Sequence, residues 1–487
     1  MSNADRSDGP TSPAPTASTP GPHPHAGLVP GLVFIGLVVA VLSSLGAPLV
    51  PDLASLYRVP LSTAQWTLTI AFLVSAVATP VMGRVGDGPH RRGMVLGGLA
   101  VVCLGGVLAA LPASFPVLLA GRALQGVGLG LTPLAIATAR GALPPDRAAP
   151  AVSILSITTV AGVGLGYPLT GLIVQLAGIH AAFWFGAAMS AVAVVVAVRV
   201  IPPAADAAPT RLDLIGAALL AGTLGCLLLA ISEGPQWGWT SLVVMSLLVA
   251  ALVLGWVWVV FEGRSAAPLV QLNSLRDRSV LTADVTAVLA GVGMYLLLSL
   301  VTRYMQTPPA AGYGLGSSVL VTGLVLIPFS ATSLLARGVA ARLLQHLTAA
   351  RVLALSCVPA LASVLILAFD RAGLLQLLIV MGVAGLGVGC VFAVMPGLIV
   401  NAVPAGQTGS AISFNQVLRL IGYATGSALS AVILQSFTPP SSPLPTNRGY
   451  TTAALVAALL WVLTGIGVLL LPGRGAPPRP AGAPASP

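Results

Sequence analysis

Long apolar stretches, each closed by a short segment with Arg, Pro or Gly, dominate the chain between Gly27 and Gly473. An apolar run of about 20 residues is long enough to cross the hydrocarbon core of a bilayer as a helix. We therefore predict an all-α, polytopic membrane protein with fourteen transmembrane helices. In chain order the predicted spans are 30–51, 63–83, 94–112, 115–138, 151–176, 181–201, 213–232, 240–261, 279–304, 317–337, 349–369, 372–397, 409–436 and 450–472.

Composition and charge agree with a membrane protein, since 56% of the residues are hydrophobic, 7% are charged and the mean hydropathy is +0.98. The net charge is +10, and all 22 basic residues are Arg, which recur at the ends of alternate apolar runs instead of clustering. This distribution excludes a nucleic-acid-binding surface. With the N-terminus inside, sixteen arginines fall on the inner side and four on the outer side. The positive-inside rule thus predicts a multi-pass protein of the bacterial inner membrane with both termini cytoplasmic.

Two stretches outside the spans, 1–26 and 473–487, are rich in Pro, Ala, Ser or Thr, and we predict disordered cytoplasmic tails. The first lacks the apolar segment of a signal peptide. His23 and His25 lie close together in it, but we assign no metal site to them. The four cysteines lie in separate apolar runs without metal-ligand spacing, so we expect no metal and no cofactor.

Three short motifs recur at nearly equal offsets of 259, 256 and 255 residues, each equal to eight predicted spans. They are Gly126-x-Gly128-x-Gly130 with Gly385-x-Gly387-x-Gly389, Gly166-Tyr167 with Gly422-Tyr423, and Gly83 with Gly338. A parallel repeat of this kind predicts two six-helix bundles, in 27–201 and 263–472, with an inserted two-helix linker in 202–262.

The loop after the second span contains Gly83, Asp87, Arg91 and Arg92. Both charge signs in a short inner loop are typical of an anchor that fixes topology. The alternative is an inner gate, in which Asp87 and Arg91 pair across the bundle interface while one face of the protein is closed.

Two further motifs lie inside predicted spans. Arg122 lies ~10 Å from the outer end of its span, where an unpaired charge costs several kcal/mol. It either ties helices together through backbone carbonyls or has a functional role. In the fifth span Gly162 and Gly166 leave a flat stripe for a neighbouring helix, and Pro168 and Gly171 follow. Generic close packing explains this stripe equally well.

The loop after the second span resembles the Gly-x-Leu-Ala-Asp-Arg-x-Gly-Arg-Arg signature of the major facilitator superfamily, from which it differs at Gly88 and His90. The motif from Arg122 to Gly128 resembles the family's Arg-x-x-Gln-Gly-x-Gly signature, which implies a role in proton coupling. The series from Gly162 to Gly171 is similar to a signature of the family's exporters. Three further stretches, 66–67, 213–216 and 232–239, look like the fourteen-span drug:proton antiporter family.

Few ionisable residues lie at membrane depth. Asp284 is ~9 Å from the inner end of its span. Burial there penalises the charged carboxylate and so favours the uptake of a proton, which is what a proton carrier requires. Asp284 either carries the proton or only reaches the interface or pairs with an arginine. We assign proton coupling to Arg122, Asp284, Asp52 and Arg419. Asp52 follows Pro51 at the outer mouth of the first span, where it either reaches Arg122 or is a solvated boundary residue. The first span has no central acid, which argues against a preference for cationic drugs.

We assign the substrate cavity to Gln125, Tyr167, Asn415 and Gln416. The predicted function is export of a small amphipathic or hydrophobic molecule, a drug or an antibiotic, in exchange for protons by alternating access. The alternatives are a dedicated exporter of an endogenous metabolite or lipid, and a polytopic membrane enzyme. We find neither paired carboxylates nor a histidine cluster for an enzyme. The expected partners are the small-molecule substrate, protons and the lipid bilayer, without nucleic acid, and we expect a monomer.

Overall fold

The computed structural model describes residues 27–45, 49–202, 213–265, 268–272, 274–439 and 444–470. All regular secondary structure within these residues is helical. The predicted tails, 1–26 and 473–487, lie outside the described residues, as does the stretch 203–212 of the predicted linker.

Seventeen α-helices occur in the described residues. They are α1 (Leu28–Ser44), α2 (Val50–Tyr57), α3 (Leu61–Gly86), α4 (Arg91–Ala110), α5 (Phe115–Gly126), α6 (Leu131–Ala142), α7 (Pro145–Ala177), α8 (Ile179–Val200), α9 (Leu214–Trp237), α10 (Leu242–Glu262), α11 (Arg278–Gln306), α12 (Val319–Val325), α13 (Ile327–Leu344), α14 (Ala349–Phe369), α15 (Leu374–Ala402), α16 (Thr408–Ser436) and α17 (Asn447–Leu470).

Twelve helical segments in the described part of the chain are long and apolar enough to cross a membrane. Two more, α1 and the stretch Gly164–Ala177 of α7, are apolar but shorter, and α1 has 17 residues. The all-α class with many apolar helices is thus confirmed. The count of fourteen spans stays a prediction, because α1 is at the lower limit of the length that spans a bilayer.

Two predicted spans are interrupted. A 3₁₀ turn, Val127–Gly130, joins α5 to α6, and the glycines in this segment weaken the regular helix while they let α3 approach. A Cβ on Gly126 would lie 3.1 Å from the Ala71 Cα of α3. Leu326 separates α12 from α13 just before Pro328, which has no N–H to continue the helical hydrogen bonds.

The helices pack mainly within two groups, α1–α8 and α11–α17. The pair α9 and α10 packs together, and α9 also contacts α3 of the first group and α16 of the second. The Trp258 ring of α10 stacks on the Phe414 ring of α16 with 6.3 Å between centroids. The inserted pair thus lies against a line where the two groups meet.

The two glycine triplets have matching neighbours in the two groups. In the triplet within 126–130 the first and last glycines face α3 and the middle one faces α4. In the triplet within 385–389 the first and last face α13 and the middle one faces α14. The third pair of the repeat differs, because Gly83 is tightly packed whereas Gly338 has no neighbour within 4 Å.

One buried arginine fastens the end of α14 to the start of α17. Arg371 is 8% exposed and donates hydrogen bonds to the Leu367 and Ala368 carbonyls at 2.9 and 2.6 Å. It also donates to the Asn447 carbonyl at 2.9 Å and to Thr451 Oγ1 at 2.8 Å. These bonds satisfy carbonyls at the C-terminal end of α14 that have no partner within their own helix.

We expect Arg371→Ala to destabilise the protein by about 2–3 kcal/mol, because hydrogen bonds to a charged donor are lost and buried acceptors are left without partners. The measurement is the thermal unfolding midpoint of the purified protein in detergent. Arg448→Ala, at an exposed position one residue after Asn447, is the control. Equal midpoints for the two variants would contradict this role of Arg371.

Candidate functional site

The two helix groups meet along two lines of contact. In the first, α3 packs against α16, and we call it the α3–α16 seam. In the second, α7 packs against α12 and α13, and we call it the α7–α13 seam. Part of the predicted inner gate, Gly83 and Asp87, and part of the exporter motif, Pro168 and Gly171, lie on these seams, so the candidate site is built from them.

Asp87 closes one end of the α3–α16 seam. Its carboxylate, which follows α3, accepts hydrogen bonds from the backbone N–H groups of Gly409 at 2.6 Å and Ser410 at 2.9 Å. These N–H groups belong to the first turn of α16, where the helix dipole favours a negative charge. Gly83 lies one turn before Asp87, and a Cβ there would be 2.7 Å from the Gly409 carbonyl oxygen. The side chain of Ser413 fills the remaining space beside Gly83.

The electrostatics at Asp87 follow from its burial. Desolvation raises the pKa of Asp87, while the hydrogen bonds from Ser410 and Gly409 and the charge of Arg91 lower it, and the balance is a raised pKa. The bonds to α16 therefore offset only part of the cost of burying the carboxylate.

Arg91 does not pair with Asp87 in the way the sequence suggested. Its Nε donates to the Gly86 carbonyl at 2.6 Å and its Nη1 to the Ala137 carbonyl at 3.2 Å, near the ends of α3 and α6. Helix C-termini attract cations, which explains the preference for these carbonyls. Arg92 donates to the Val198 carbonyl of α8 at 2.8 Å and so stays within the first helix group.

Arg140, near the end of α6, is a cross-seam contact that we did not predict. It donates to the Val403 carbonyl at 3.1 Å and to Thr408 Oγ1, both in the second helix group. It also interacts electrostatically with Asp87. At this end of the seam, an acid and an arginine from the first group are thus both held by the start of α16 and the residues just before it.

We expect Asp87→Asn to loosen this end of the seam, since the loss of charge weakens both bonds to α16. The reporter is Ser413→Cys, at a fully buried position beside Gly83. In a background without the partly accessible Cys103 and Cys226, maleimide labelling at position 413 should become about tenfold faster.

The matched control for this experiment is Asp146→Asn, which removes an exposed carboxylate at the start of α7. It should leave the labelling rate at position 413 unchanged. A labelling rate that does not respond to Asp87→Asn would show that Asp87 does not hold the seam closed.

The glycine stripe of the exporter motif faces α1. A Cβ on Gly166 would lie 2.7 Å from Ser44 Cβ and 3.1 Å from the Val41 carbonyl oxygen. Gly162 is packed in the same way against Ala40, whose Cα would lie 3.3 Å from the added atom. These two glycines therefore join α7 to α1 within the first helix group.

The rest of the motif lies on the α7–α13 seam. A Cβ on Gly323 of α12 would lie 2.8 Å from the Pro168 nitrogen, and one on Gly171 would lie 3.2 Å from Leu320 Cα. Ser330 of α13 donates a hydrogen bond to the Ala161 carbonyl at 2.8 Å. The chain thus places one half of the motif inside a group and the other half between the groups.

We expect Gly166→Leu to push α7 away from α1 and to cost about 1–3 kcal/mol, as overpacking does in cores. Thermal unfolding of the purified variant measures this. Gly97→Leu in α4, where nothing lies within 4 Å, is the control and should have little effect. Adding Ser44→Gly removes the atom that the new side chain meets and should restore part of the loss. An unchanged midpoint for Gly166→Leu would mean that the stripe faces lipid.

Arg122 is buried, at 1% exposure, beside a small cavity. Its Nε donates to the Thr67 carbonyl at 3.1 Å, and its Nη1 donates to Gln125 Oε1 at 2.7 Å. The cavity, which Ser43 also lines, has a volume of about 10 Å³, enough for about one water molecule. Asp52 lies exposed in α2 and makes no contact with Arg122, so the predicted pairing of the two is not made in this structure.

Asp284 lies in α11 and is 5% exposed. One of its carboxylate oxygens accepts a hydrogen bond and the other does not. Asn415 of α16 donates to Asp284 Oδ1 at 2.9 Å and to the Ala283 carbonyl at 3.2 Å. Asp284 Oδ2 is buried and has no hydrogen-bond partner among the described residues. A cavity of about 10 Å³ is lined by Asp284, by other polar residues such as Gln271 and Gln407, and by apolar residues such as Phe414.

Arg419 and Gln416 form a second arginine–glutamine pair, in α16. Arg419 is 4% exposed, donates from Nη2 to Gln416 Oε1 and lies over the Phe392 ring at 4.8 Å from the centroid. Tyr167, which we assigned to the substrate cavity, lies in α7. Asn415 faces Asp284, so the three amides assigned to the cavity, Gln125, Asn415 and Gln416, each contact a different charged side chain.

The sequence reasoning missed several residues that form contacts between the two helix groups. Arg140 looks like one more inner arginine, and only its contacts to Val403 and Thr408 distinguish it. Gly323 and Ser330 are small residues in an apolar run and carry no signal of their own. For Arg419 the spacing of three residues from Gln416, which repeats that of Arg122 and Gln125, was an available signal.

The sequence matches the profile of the Major Facilitator Superfamily over residues 32–307 and 283–486. These matches cover most of the chain, and the chain belongs to this family of membrane transporters.

Several relatives share a moderate identity with the chain. Multidrug resistance protein Stp of Mycobacterium tuberculosis is 28% identical over 391 residues, which cover 80% of this chain and 72% of that protein. The tetracenomycin C resistance and export protein of Streptomyces glaucescens is 26% identical over 406 residues, 82% of this chain and 74% of that protein. The multidrug resistance protein B homolog of M. tuberculosis is 24% identical over 446 residues, 86% of this chain and 81% of that protein.

The crystal structure of the human organic anion transporter MFSD10 is similar in fold. The TM-score is 0.64 and the sequence identity 20%, and the match covers 92% of this chain and 100% of that one. At this identity the likeness concerns the fold alone.

Proposed function

We propose that the protein exports a small amphipathic or hydrophobic molecule, a drug or an antibiotic, in exchange for protons. The relatives named above for multidrug resistance and for tetracenomycin C export support both the substrate class and the direction. The similarity of the stretch from Gly162 to Gly171 to an exporter motif supports the same direction.

The proposal of proton exchange rests mainly on the buried carboxylate of Asp284. One of its oxygens has no partner among the described residues, and its hydrogen bond comes from a neutral amide, Asn415. A proton on Oδ2 removes the cost of a buried charge and leaves the bond from Asn415 to Oδ1 intact. The small cavity that Asp284 lines together with Gln271 and Gln407 has room for about one water molecule, which could accept that proton.

The two seams support alternating access between two bundles. Asp87 and Arg140 close the end of the first seam, and Pro168 packs against Gly323 in the second. With both closed, the space between the groups is occluded. Opening one seam at a time would expose the centre to one side of the membrane and then to the other.

The same proposal includes the topology. Fourteen spans, with α1 and α7 crossing the membrane despite their shorter apolar lengths, place both termini in the cytoplasm of a bacterial cell. The excess of arginines on that side supports this orientation. We retain two six-helix bundles, the inserted pair α9–α10 and a monomer as part of the proposal, with protons, the substrate and the lipid bilayer as partners.

We expect Asp284→Asn to abolish the response to a pH gradient, because the amide cannot take up or release the proton. Everted membrane vesicles measure this through the uptake of tetracenomycin C, ethidium and dihydroxyanthraquinone, with and without an imposed gradient. Asp146→Asn, which changes an exposed acid at the start of α7, should retain the gradient-dependent uptake.

Two results would contradict the proposal. In the first, the unchanged protein moves none of the three compounds in response to the gradient, although it is present at normal levels in the membrane. In the second, Asp284→Asn keeps the full gradient dependence for a compound that the unchanged protein moves.

A further inference from the structure

The centre of the protein contains hydrogen-bond donors that lack acceptors. Arg419 Nε and Gln416 Nε2 are both buried and have no partner among the described residues. The two side chains are 4% and 3% exposed. The Gln416 oxygen already accepts a bond from Arg419, so the amide of Gln416 presents its N–H₂ group and not its oxygen. Buried donors of this kind normally have a partner, and an unpaired one is costly.

No acidic side chain contacts Arg419 among the described residues. Its charge faces the Phe392 ring, with 4.8 Å between Cζ and the ring centroid. Asp284 is bonded to Asn415, which lies one helical turn before Arg419 in α16, about 6 Å along the axis. The unpaired donors of Arg419 and Gln416 therefore lie near Asp284, the predicted proton site, but are not hydrogen-bonded to it.

Aromatic rings surround these donors. Tyr295 of α11 and Tyr423 of α16 stack with 4.6 Å between centroids and an interplanar angle of 23°. Tyr423 lies one turn after Arg419 in α16, on the same side of the helix. Flat rings of α11, α15 and α16 thus adjoin one donor-rich position.

The arginine of the other group is better satisfied. Arg122 has acceptors for Nε and for Nη1, the Thr67 carbonyl and Gln125 Oε1. Only the Gln125 Nε2 atom there lacks a partner among the described residues. Arg419 and Gln416 thus have more unpaired donors than Arg122 and Gln125, and we take their position as the better candidate for a ligand site.

We propose that Arg419 and Gln416 bind the carbonyl or phenolate oxygens of a planar aromatic substrate, whose ring packs among Phe392, Tyr295 and Tyr423. An oxygen acceptor satisfies both free donors at once. An organic cation brings donors and a positive charge to the same position and is rejected. This inference rests on the proposed export function and specifies its substrate class.

The test measures binding at a fixed pH and without a gradient, so it is independent of transport. The purified full-length protein in lipid nanodiscs is dialysed against three probes on the same ring frame: dihydroxyanthraquinone, anthracene and aminomethylanthracene. Empty nanodiscs correct for partition into lipid. We expect dihydroxyanthraquinone to bind more tightly than anthracene, and aminomethylanthracene to bind least.

Two variants test the assigned residues. Arg419→Gln should weaken dihydroxyanthraquinone binding about tenfold or more and change anthracene binding little. Gln416→Glu places a carboxylate next to Arg419, which occupies the free donors, so it should reduce dihydroxyanthraquinone binding and favour aminomethylanthracene. Arg448→Gln, at an exposed position, is the control for the loss of a positive charge.

Equal affinities for the three probes would overturn the proposal, because the site would then recognise only an apolar ring. Loss of anthracene and dihydroxyanthraquinone binding to the same extent in Arg419→Gln would overturn it too. If Arg419→Gln does not elute as a folded monodisperse protein, Gln416→Glu alone tests the proposal. It should then bind aminomethylanthracene more tightly than dihydroxyanthraquinone, and an unchanged order of affinities would contradict the proposal. Selective binding without gradient-driven uptake in vesicles would contradict the proposed function and leave this inference standing.

Discussion

Close approach of helix backbones at glycine and serine residues is the constraint on which the rest of the structure depends. Lipid tails are as apolar as the side chains they contact, so helices in a bilayer associate through close packing and hydrogen bonds and not through the hydrophobic effect. Both seams follow this rule, with Gly83 against Gly409 and Gly323 against Pro168. Backbone surfaces that meet in this way separate without the rearrangement of long interlocked side chains.

The second constraint is the free-energy cost of burying a charged side chain, which the dipoles of helix ends reduce. Asp87 lies at the N-terminal end of α16, while Arg91 and Arg140 donate to carbonyls at or near the C-terminal ends of helices. Each charge is thus placed against the helix end of opposite polarity. Asp87 and Arg140 make such contacts between the two helix groups, at the start of α16 and at the end of α15, so the charges there also join the groups. Asp284 and Arg419 differ, since neither has a charged partner in contact among the described residues.

The sequence was sufficient for the class and for most helices, because about 20 apolar residues in succession have only one stable state in a membrane. It also singled out Asp87, which lies at the contact between the two helix groups. It could not identify the partner, because Gly409 is 322 residues away and its backbone N–H carries no side-chain signal. The predicted Asp87–Arg91 pair was instead inferred from local spacing, and local spacing does not show that helix ends compete for the arginine.

The position of the α9–α10 pair constrains how the seam next to it can open. On one side, Gln236 of α9 donates a hydrogen bond to Gln65 Oε1 of α3 at 2.6 Å. On the other side, the pair meets α16 through the stacked rings of Trp258 and Phe414, and Leu224 and Val417 belong to the same buried apolar cluster. Lipid replaces an apolar contact at little cost. The hydrogen bond to α3 is exposed and lies near the ends of both helices. If the seam opens as proposed, lipid can therefore take the place of α16 against the pair, and the pair does not hold the seam closed.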